Sequence, residues 1–427
     1  MDSNLLAEVR AWIEDDPDPQ TAAYLSDLLD ADDELTLRKY FAGFLEFGTA
    51  GLRGPLGPGP SCMNQAVVGR TAAGLVKFMQ ERSLTSVVIG RDARHGSEIF
   101  EAISAEIFSG AGMEVFLLPR ALPTPVLAYA TTALKADVGV MVTASHNPPQ
   151  DNGYKVYIGP DADGIAYASS QIINPTDGFI ADEIKKITSL KSQPRGTSWT
   201  VLDETLIEEY VKRTASLGKN PGGLKIVYTA MHGVGTETLT QVFKKAGFPD
   251  LILVAEQADP DPDFPTVAFP NPEEPGAIDL ALATARTHHA DLVIANDPDA
   301  DRCAAAIKDH SGQWRMLRGD ELGVIFGEWI ARTSPQGTFG NSIVSSSILR
   351  KISAHYGIDF KEVLTGFKWL AKIEDLAFGY EEAIGYAVDS ETVNDKDGIS
   401  AAIYLAQIAT DLAAVGKDLN DLLDEVW

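Results

Sequence analysis

The chain has 427 residues, of which 45% are hydrophobic and 22% are charged, and its formal net charge is −26 at pH 7. At roughly 150 residues per domain, this length predicts about three globular domains. The acidic balance argues against nucleic acid and anionic membranes as partners, because both select basic surfaces. An anionic small substrate is still allowed if arginines and lysines gather locally in loops.

The N-terminal stretch MDSNLLAEVRAWIEDD has apolar residues at helical spacing and acidic flanks, which predicts an amphipathic helix and not a signal peptide. No apolar run is long enough to span a bilayer. The two cysteines, Cys62 and Cys303, lie far apart. This spacing excludes a disulfide framework or a thiolate metal cluster and favours a reducing, cytoplasmic setting.

Short β-type segments recur along the chain, each followed by a polar or glycine-rich loop and then by a helical pattern. The pairs are SVVIG before RDARHGS, VGVMVTA before SHNPP, LKIVYTA before MHGVG, and DLVIA before NDPDADR. Strands that alternate with helices predict α/β layers. Because ligands collect at the carboxyl ends of strands in such sheets, we expect the four loops to meet at one cleft.

Domain boundaries are expected where the periodic patterns stop. The polar segment 189–200 is typical of a linker, and the helical pattern GDELGVIFGEWIAR indicates the start of a third domain. These signals predict domains at 1–203, 204–313 and 314–427. The proline-rich segment 258–276 stands between a strand-like and a helical pattern, so we interpret it as a long loop inside the second domain.

The segment DPDADR, residues 297–302, places three aspartates at alternate positions after an apolar strand. On an extended loop this alternation aims Asp297, Asp299 and Asp301 at one point, where three hard oxygen ligands suit Mg²⁺ or Ca²⁺. A solvated acidic turn is the alternative. An EF-hand fails, because Arg302 and Lys308 stand where it requires glycine and glutamate. Paired aspartates also suit an aspartate-nucleophile phosphatase, which nothing else in the sequence supports.

The loop MHGVGTET, residues 231–238, opens a helix and is similar to a dinucleotide-binding fingerprint, with Glu256 about twenty residues further on. Thr238 replaces the third glycine, so the pattern is imperfect. The glycines of a tight turn account for this loop equally well.

The stretch VMVTASHNPPQDNGYKVY, residues 140–157, contains a serine with no G-x-S-x-G elbow around it. No histidine and aspartate can be assigned to that serine, so a hydrolase is disfavoured. Taken alone, Ser145, His146 and Asn147 are more typical of a turn or a helix cap than of a catalytic centre.

Six motifs change this interpretation because they occur together and in a fixed order. They are FGTAGLRG (47–54), TASHNPPQDNGYK (143–155), DPDADR (297–302), TGFKW (365–369), YEEAIGY (380–386) and DKDG (395–398). Together they resemble the α-D-phosphohexomutase family, in particular its phosphoglucomutase branch (phosphoglucomutase/phosphomannomutase). The resemblance implies three consecutive α/β domains with mixed sheets around a central active-site cleft.

The resemblance also implies a role for each matching residue. Ser145 corresponds to the phosphoserine whose phosphoryl group is transferred, and its oxygen binds Mg²⁺ together with Asp297, Asp299 and Asp301. Lys155 serves in acid/base catalysis or charge stabilisation, and Arg53 lies near the phosphoserine. The residues implied in substrate binding are His146, Arg302, Thr365, Gly366, Lys368, Glu381, Glu382 and Lys396.

The implied reaction moves a phosphoryl group between the 1- and 6-positions of a hexose phosphate. It passes through the phosphoserine and a sugar 1,6-bisphosphate, which also serves as the activator. Such transfer needs positioning and charge neutralisation, which Mg²⁺ and nearby Arg and Lys groups supply. Phosphomannomutase and phosphopentomutase are near alternatives, and a non-catalytic sugar-phosphate sensor is an alternative of another class.

Two departures from the family pattern stand out. Ala383 occupies a position where the hydroxyl-binding loop usually has serine, which removes one expected hydrogen bond to the sugar. The family also has a fourth domain with a phosphate-binding loop, and no such motif follows residue 398. We therefore expect this domain to be absent and the turnover of hexose phosphate to be slow.

Overall fold

The computed structural model describes residues 2–46, 51–159 and 169–426. Within these ranges three α/β units follow one another, each built on its own mixed sheet, which confirms the predicted fold class. The helices are α1 (Ser3–Asp15), α2 (Pro19–Asp30), α3 (Glu34–Tyr40), α4 (Gln65–Glu81), α5 (Ser97–Gly110), α6 (Thr124–Ala133), α7 (Thr176–Lys185), α8 (Glu204–Ala215), α9 (Gly235–Ala246), α10 (Asp279–His288), α11 (Gly319–Thr333), α12 (Ile348–Tyr356), α13 (Phe367–Leu370), α14 (Gly398–Ala414) and α15 (Leu419–Val426). The strands are β1 (Leu52–Pro55), β2 (Ser86–Arg91), β3 (Glu114–Leu117), β4 (Val138–Val142), β5 (Asp151–Ile158), β6 (Ser170–Gln171), β7 (Thr200–Val201), β8 (Ile226–Thr229), β9 (Ile252–Leu253), β10 (Leu292–Asn296), β11 (Cys303–Lys308), β12 (Trp314–Met316), β13 (Thr338–Ser342), β14 (Asp359–Val363), β15 (Leu376–Glu381) and β16 (Gly385–Ala387).

The predicted N-terminal helix is α1. Asp2 caps it by accepting a hydrogen bond from the Asn4 N–H. Its apolar face buries Leu5, Val9 and Trp12 in the same core as the first sheet. The N-terminal helices are therefore part of the first unit.

The first sheet has the order β1-β5-β4-β2-β3-β7, with β6 paired to β5, among the described residues. Strands β4, β2, β3 and β7 run parallel, whereas β5 runs antiparallel to β4 and β1. The SHNPP loop joins β4 to β5, and Lys155 lies opposite Met141 in that pair. This hairpin places Ser145 and Lys155 at one end of the sheet.

The second sheet has the order β12-β11-β10-β8-β9. Strands β10 and β11 are antiparallel neighbours in which Asn296 pairs with Cys303. The loop 297–302 is therefore a short connection at the carboxyl end of β10. The MHGVG loop packs against it. A Cβ on Gly233 would lie 2.3 Å from the Pro298 Cα, so this close approach requires glycine.

The boundary at residue 313 stays a prediction, and β12 (Trp314–Met316), just beyond it, completes an antiparallel hairpin with β11. The strand-like segment LILVAE contributes only two residues to β9 before a 3₁₀ turn at Ala255–Gln257. The segment 258–276 contains no helix or strand, as expected for a long loop.

The third sheet has the order β14-β13-β15-β16, with β16 antiparallel to β15. The β15–β16 hairpin carries the EEAIG motif, and helix α14 is largely buried in the core shared with the second unit. No single helix among residues 2–46, 51–159 and 169–426 is long and apolar enough to cross a membrane. Helices α14 and α15 meet the length and composition criteria only as a pair, with a bend of 89° between them.

Candidate active site

The loops that follow β2, β4, β8 and β10 meet at the junction of the first two units. Ser145, just beyond β4, is only 1% exposed. Its Oγ donates a hydrogen bond to Asp297 Oδ2, just beyond β10, at 2.7 Å. The Val234 N–H of the β8 loop donates to the carbonyl of Pro298 at 2.9 Å. The carboxyl ends of strands from two sheets thus form one site.

Asp297, Asp299 and Asp301 form a buried cluster, with one carboxylate oxygen of each lying within 4.8 Å of the others. Lys155 lies beside it, and its Nζ donates to Asp299 Oδ2 at 2.7 Å and to Asp301 Oδ2 at 2.8 Å. Thr124 Oγ1 also donates to Asp299 Oδ2, at 2.6 Å. Lys155 therefore bridges two of the three carboxylates of the cluster.

The donor set fits a divalent cation. Asp299 Oδ1 and Asp301 Oδ1 are buried and accept no hydrogen bond, and buried polar atoms without partners are costly. These orphan oxygens, with a carboxylate oxygen of Asp297 and the Ser145 Oγ, make the all-oxygen environment that Mg²⁺ prefers. The alternative of a solvated acidic turn is wrong, since the three aspartates are at most 1% exposed.

Burial and mutual repulsion set the protonation of the aspartates when no cation is bound. Burial, together with the charges of Asp299 and Asp301, raises the pKa of Asp297 well above its usual range. Burial also acts to raise the pKa of Asp299, but the Lys155 ammonium outweighs it and lowers that pKa. The cluster therefore favours the anionic form of Asp299, beside Lys155, and the protonated form of Asp297.

Arg53, His146 and Arg302 surround the serine. Arg53 Nη1 donates to Asn147 Oδ1 at 3.3 Å, and its Nε is buried without a partner. His146 Nδ1 lies 3.3 Å from Ser145 Oγ, and burial with the charges of Arg302 and Arg53 lowers the pKa of His146 to about 3. The imidazole is therefore neutral, and the two guanidiniums are the cations that face this end of the site.

The sequence motifs of the third unit lie on the other side of the cleft. Glu381 Oε1 accepts a hydrogen bond from the Gly366 N–H at 2.7 Å, and burial raises the pKa of Glu381. Gly366 has φ +114°, a conformation that favours glycine. Thr365 is exposed, and Lys368 is half-buried, with burial lowering its pKa. These side chains are not in contact with the aspartate cluster.

Glu382 is held by two serines that the sequence motifs did not include. Ser342 Oγ and Ser345 Oγ each donate to Glu382 Oε2 at 3.0 Å, and the Glu382 N–H donates to Ser345 Oγ at 3.1 Å. Ala383, which replaces the expected serine, uses its carbonyl to accept from Arg302 Nη1 at 3.1 Å. This bond joins the hairpin to the aspartate loop.

Lys396 connects the two sides. Its Nζ lies 3.4 Å from Asp301 Oδ2 and 3.5 Å from Asp395 Oδ1. Burial acts to lower the pKa of Lys396, but Asp301 and Asp395 together raise it above its usual range. After the roles that the sequence resemblance implies, we call Ser145, Lys155 and the three aspartates the phosphoryl side, and Thr365, Gly366, Glu381 and Glu382 the sugar side.

Several polar residues of the site were missed by the sequence analysis. Arg94 and Asp92 belong to the RDARHGS loop, which was expected at the cleft but given no role. Thr143 Oγ1 accepts from the Ser145 N–H at 2.9 Å, and Arg94 contacts the carbonyls of the same turn. The position of RDARHGS after β2, a parallel neighbour of β4, is the signal that could have identified them. Residues 47–50 of the FGTAGLRG motif lie outside the described residues.

Comparison with known proteins identifies the family of this chain. Three family models, each described as phosphoglucomutase/phosphomannomutase, match this chain as α/β/α domain I at residues 45–185, domain II at 207–312 and domain III at 318–427. The chain belongs to this family. Its members' mutase chemistry makes it an isomerase that works by phosphoryl transfer.

Curated relatives agree on mutase chemistry and differ in the sugar. A "Probable phosphomannomutase" of Haemophilus influenzae is 47% identical over 85% of this chain and 75% of its own length. A mouse "Phosphopentomutase" is 36% identical over 100% of this chain and 74% of its own length. A human "Glucose 1,6-bisphosphate synthase" is 34% identical, with the same two coverages of 100% and 74%.

A solved structure supports the fold. A phosphoglucomutase/phosphomannomutase family protein from Burkholderia thailandensis superposes with a TM-score of 0.74, covering 89% of this chain and 79% of the other, at 23% identity. The architecture of three mixed-sheet units is therefore that of the family.

Proposed function

We propose that this protein is a Mg²⁺-dependent phosphoglucomutase, which moves a phosphoryl group between the 1- and 6-positions of a hexose phosphate. The observation that carries the proposal is the buried Ser145 hydroxyl, 2.7 Å from Asp297 Oδ2. Mg²⁺, held by Ser145 Oγ, Asp297, Asp299 and Asp301, would neutralise charge on the transferring phosphoryl group.

In the proposed half-reaction, phospho-Ser145 meets a free hydroxyl of the sugar phosphate. The bond from phosphorus to Ser145 Oγ breaks as a bond to the sugar oxygen forms, which gives the 1,6-bisphosphate. The sugar hydroxyl loses one proton, and Ser145 Oγ gains one and becomes the hydroxyl that donates to Asp297. The bisphosphate then returns its other phosphoryl group to Ser145, and added bisphosphate acts as the activator.

Local cations support this chemistry in an acidic chain. Lys155 neutralises Asp299 and Asp301, while Arg53 and Arg302 face the end of the site where the phosphoryl group would stand. Charge stabilisation inside a dry cleft is the main contribution a protein makes to phosphoryl transfer. We propose that Lys396 and Lys368 meet the second phosphate of the bisphosphate.

The sugar is tested by steady-state kinetics. With Mg²⁺ and a trace of glucose 1,6-bisphosphate, we expect kcat/KM to be highest for glucose 1-phosphate. Mannose 1-phosphate and ribose 1-phosphate are the competing substrates, because the 47% identical relative is named a phosphomannomutase and a full-coverage relative a phosphopentomutase. A higher value for either would replace the glucose assignment. Binding without turnover of any of the three would instead favour the sugar-phosphate sensor.

A further inference from the structure

Ser145 occupies a backbone position that its surroundings must enforce. Its φ is +53°, in the left-handed region that non-glycine residues rarely adopt. Such a conformation persists only when neighbouring groups determine it. Thr143 provides one restraint, since its Oγ1 accepts from the Ser145 N–H and donates to Asp92 Oδ2 at 2.7 Å.

Arg94 provides the main restraint, from beneath the turn. Its Nη2 donates to the carbonyls of Ser145 at 2.5 Å and Asn147 at 2.7 Å. Its Nη1 donates to the carbonyls of Pro148 at 2.9 Å and Asp151 at 3.2 Å. One planar guanidinium therefore holds four carbonyls of the turn, including that of the serine. A lysine ammonium concentrates its donors at one point and cannot span them.

Arg94 is itself fixed on both sides. Its side chain is 1% exposed, and its Nε lies 3.3 Å from Asp92 Oδ2. Asp92 Oδ1 accepts from Ser97 Oγ at 2.7 Å and from the Arg94 N–H at 3.0 Å. The ring of Phe264, from the long loop 258–276, lies 5.0 Å from the guanidinium carbon. The guanidinium is thus a rigid support.

We propose that Arg94 is a positioning residue that sets the direction of Ser145 Oγ toward Asp297 during phosphoryl transfer. Arg94 binds the backbone of the turn, while Ser145 Oγ bonds to Asp297 Oδ2, so Arg94 acts through the loop. The inference rests on the proposed function of Ser145. A displacement of about 1 Å in a reacting group costs about a hundredfold in rate. We therefore expect that loss in kcat, with KM within about threefold because the sugar side is untouched.

The test compares Arg94→Gln and Arg94→Lys with the matched control Arg91→Gln. Arg91 is a half-buried arginine of the first unit, and its Nε pairs with Glu101 Oε2 at 3.1 Å. Steady-state kinetics and the single-turnover rate of Ser145 phosphorylation by glucose 1,6-bisphosphate are measured at temperatures below each variant's Tm. Both Arg94 variants should lose about a hundredfold in both rates. The Arg91 variant should lower Tm but keep kcat within about twofold.

Two results would overturn the inference. One is an Arg94→Gln kcat within about threefold of the unmodified chain, and the other is recovery in Arg94→Lys, which would show that charge alone suffices. If the Arg94 variants do not fold, Thr143→Val tests the same restraint of the Ser145 turn. We expect it to lower kcat about tenfold and to leave KM unchanged. An unchanged Thr143→Val kcat also overturns it. Failure of the unmodified chain to phosphorylate Ser145 would instead refute the proposed function.

Discussion

On the phosphoryl side, Ser145, Lys155 and the three aspartates are at most 1% exposed, and their bonds run between the first and second domains. On the sugar side, Thr365 is exposed and Glu382 is half-buried, and the hydrogen bonds of Glu381 and Glu382 stay within the third domain. Buried charges interact strongly and need no reorganisation during reaction. On the proposed function, phosphoryl transfer would take place in the buried part of the cleft, and the choice of sugar would be made in the more exposed part.

The largest expected effect tests the phosphoryl side directly. Ser145→Ala removes the group proposed to carry the phosphoryl, so we expect kcat to fall by at least about a thousandfold. Stability should change by only about 1–3 kcal/mol, because one hydrogen bond to Asp297 is lost. The matched control is Ser311→Ala, in the exposed turn between β11 and β12. Normal turnover by Ser145→Ala would remove the serine from the mechanism.

The next effect concerns the metal. Asp299→Asn replaces an anionic ligand whose Oδ1 is buried and has no hydrogen-bond partner, so the Mg²⁺ concentration at half-maximal rate should rise about tenfold or more. Asp309→Asn, in an exposed turn of the same domain, serves as the control. An unchanged Mg²⁺ titration for Asp299→Asn would contradict the assignment of the cation site.

On the sugar side the effects should be smaller and should fall on KM. Glu381→Gln weakens a charge-assisted acceptor by about 1 kcal/mol, which corresponds to about a fivefold to tenfold loss in kcat/KM. Glu362→Gln, on the exposed strand β14, is the control. A loss in kcat alone would assign Glu381 to the phosphoryl side and contradict the division between the two sides of the cleft.

The smallest effect concerns the support of Glu382. Ser345→Ala removes the hydroxyl that both donates to Glu382 Oε2 and accepts from its N–H. We expect KM to rise about threefold, since a neutral hydrogen bond contributes about 0.5–1.5 kcal/mol. The control is Ser192→Ala, in the polar segment 189–200. The profile across glucose, mannose and ribose 1-phosphates should also shift for Ser345→Ala, and an unshifted profile with unchanged KM would exclude this loop from sugar selection.

The difference between the phosphoryl side and the sugar side also explains which features the sequence could predict. The alternating aspartates and the serine loop each follow an apolar strand, so strand order and ligand chemistry were enough to predict that they meet at one cleft. The sugar-side residues were predicted from the family resemblance alone, because no residue pattern in TGFKW or YEEAIGY indicates a particular chemistry. Arg94 was given no role because its partners in the serine turn are backbone carbonyls, although its position after β2 indicated that it lies at the cleft.

The pairing of β12 with β11 was missed for a related reason. The turn 309–312 and the short strand β12 look like the start of a new segment, and only pairing with β11 assigns them to the second sheet. Local periodicity does not predict which strand a three-residue strand pairs with. Local patterns therefore predicted the elements better than their partners.

The most direct measurement is peptide mass spectrometry of the chain after incubation with Mg²⁺ and glucose 1,6-bisphosphate, followed by a chase with glucose 6-phosphate. We expect one phosphoryl group on Ser145, which leaves during the chase at a rate no slower than kcat, and none on Ser145→Ala. Turnover with Ser145 unmodified, or with the phosphoryl group on another residue, would contradict the proposed role of Ser145.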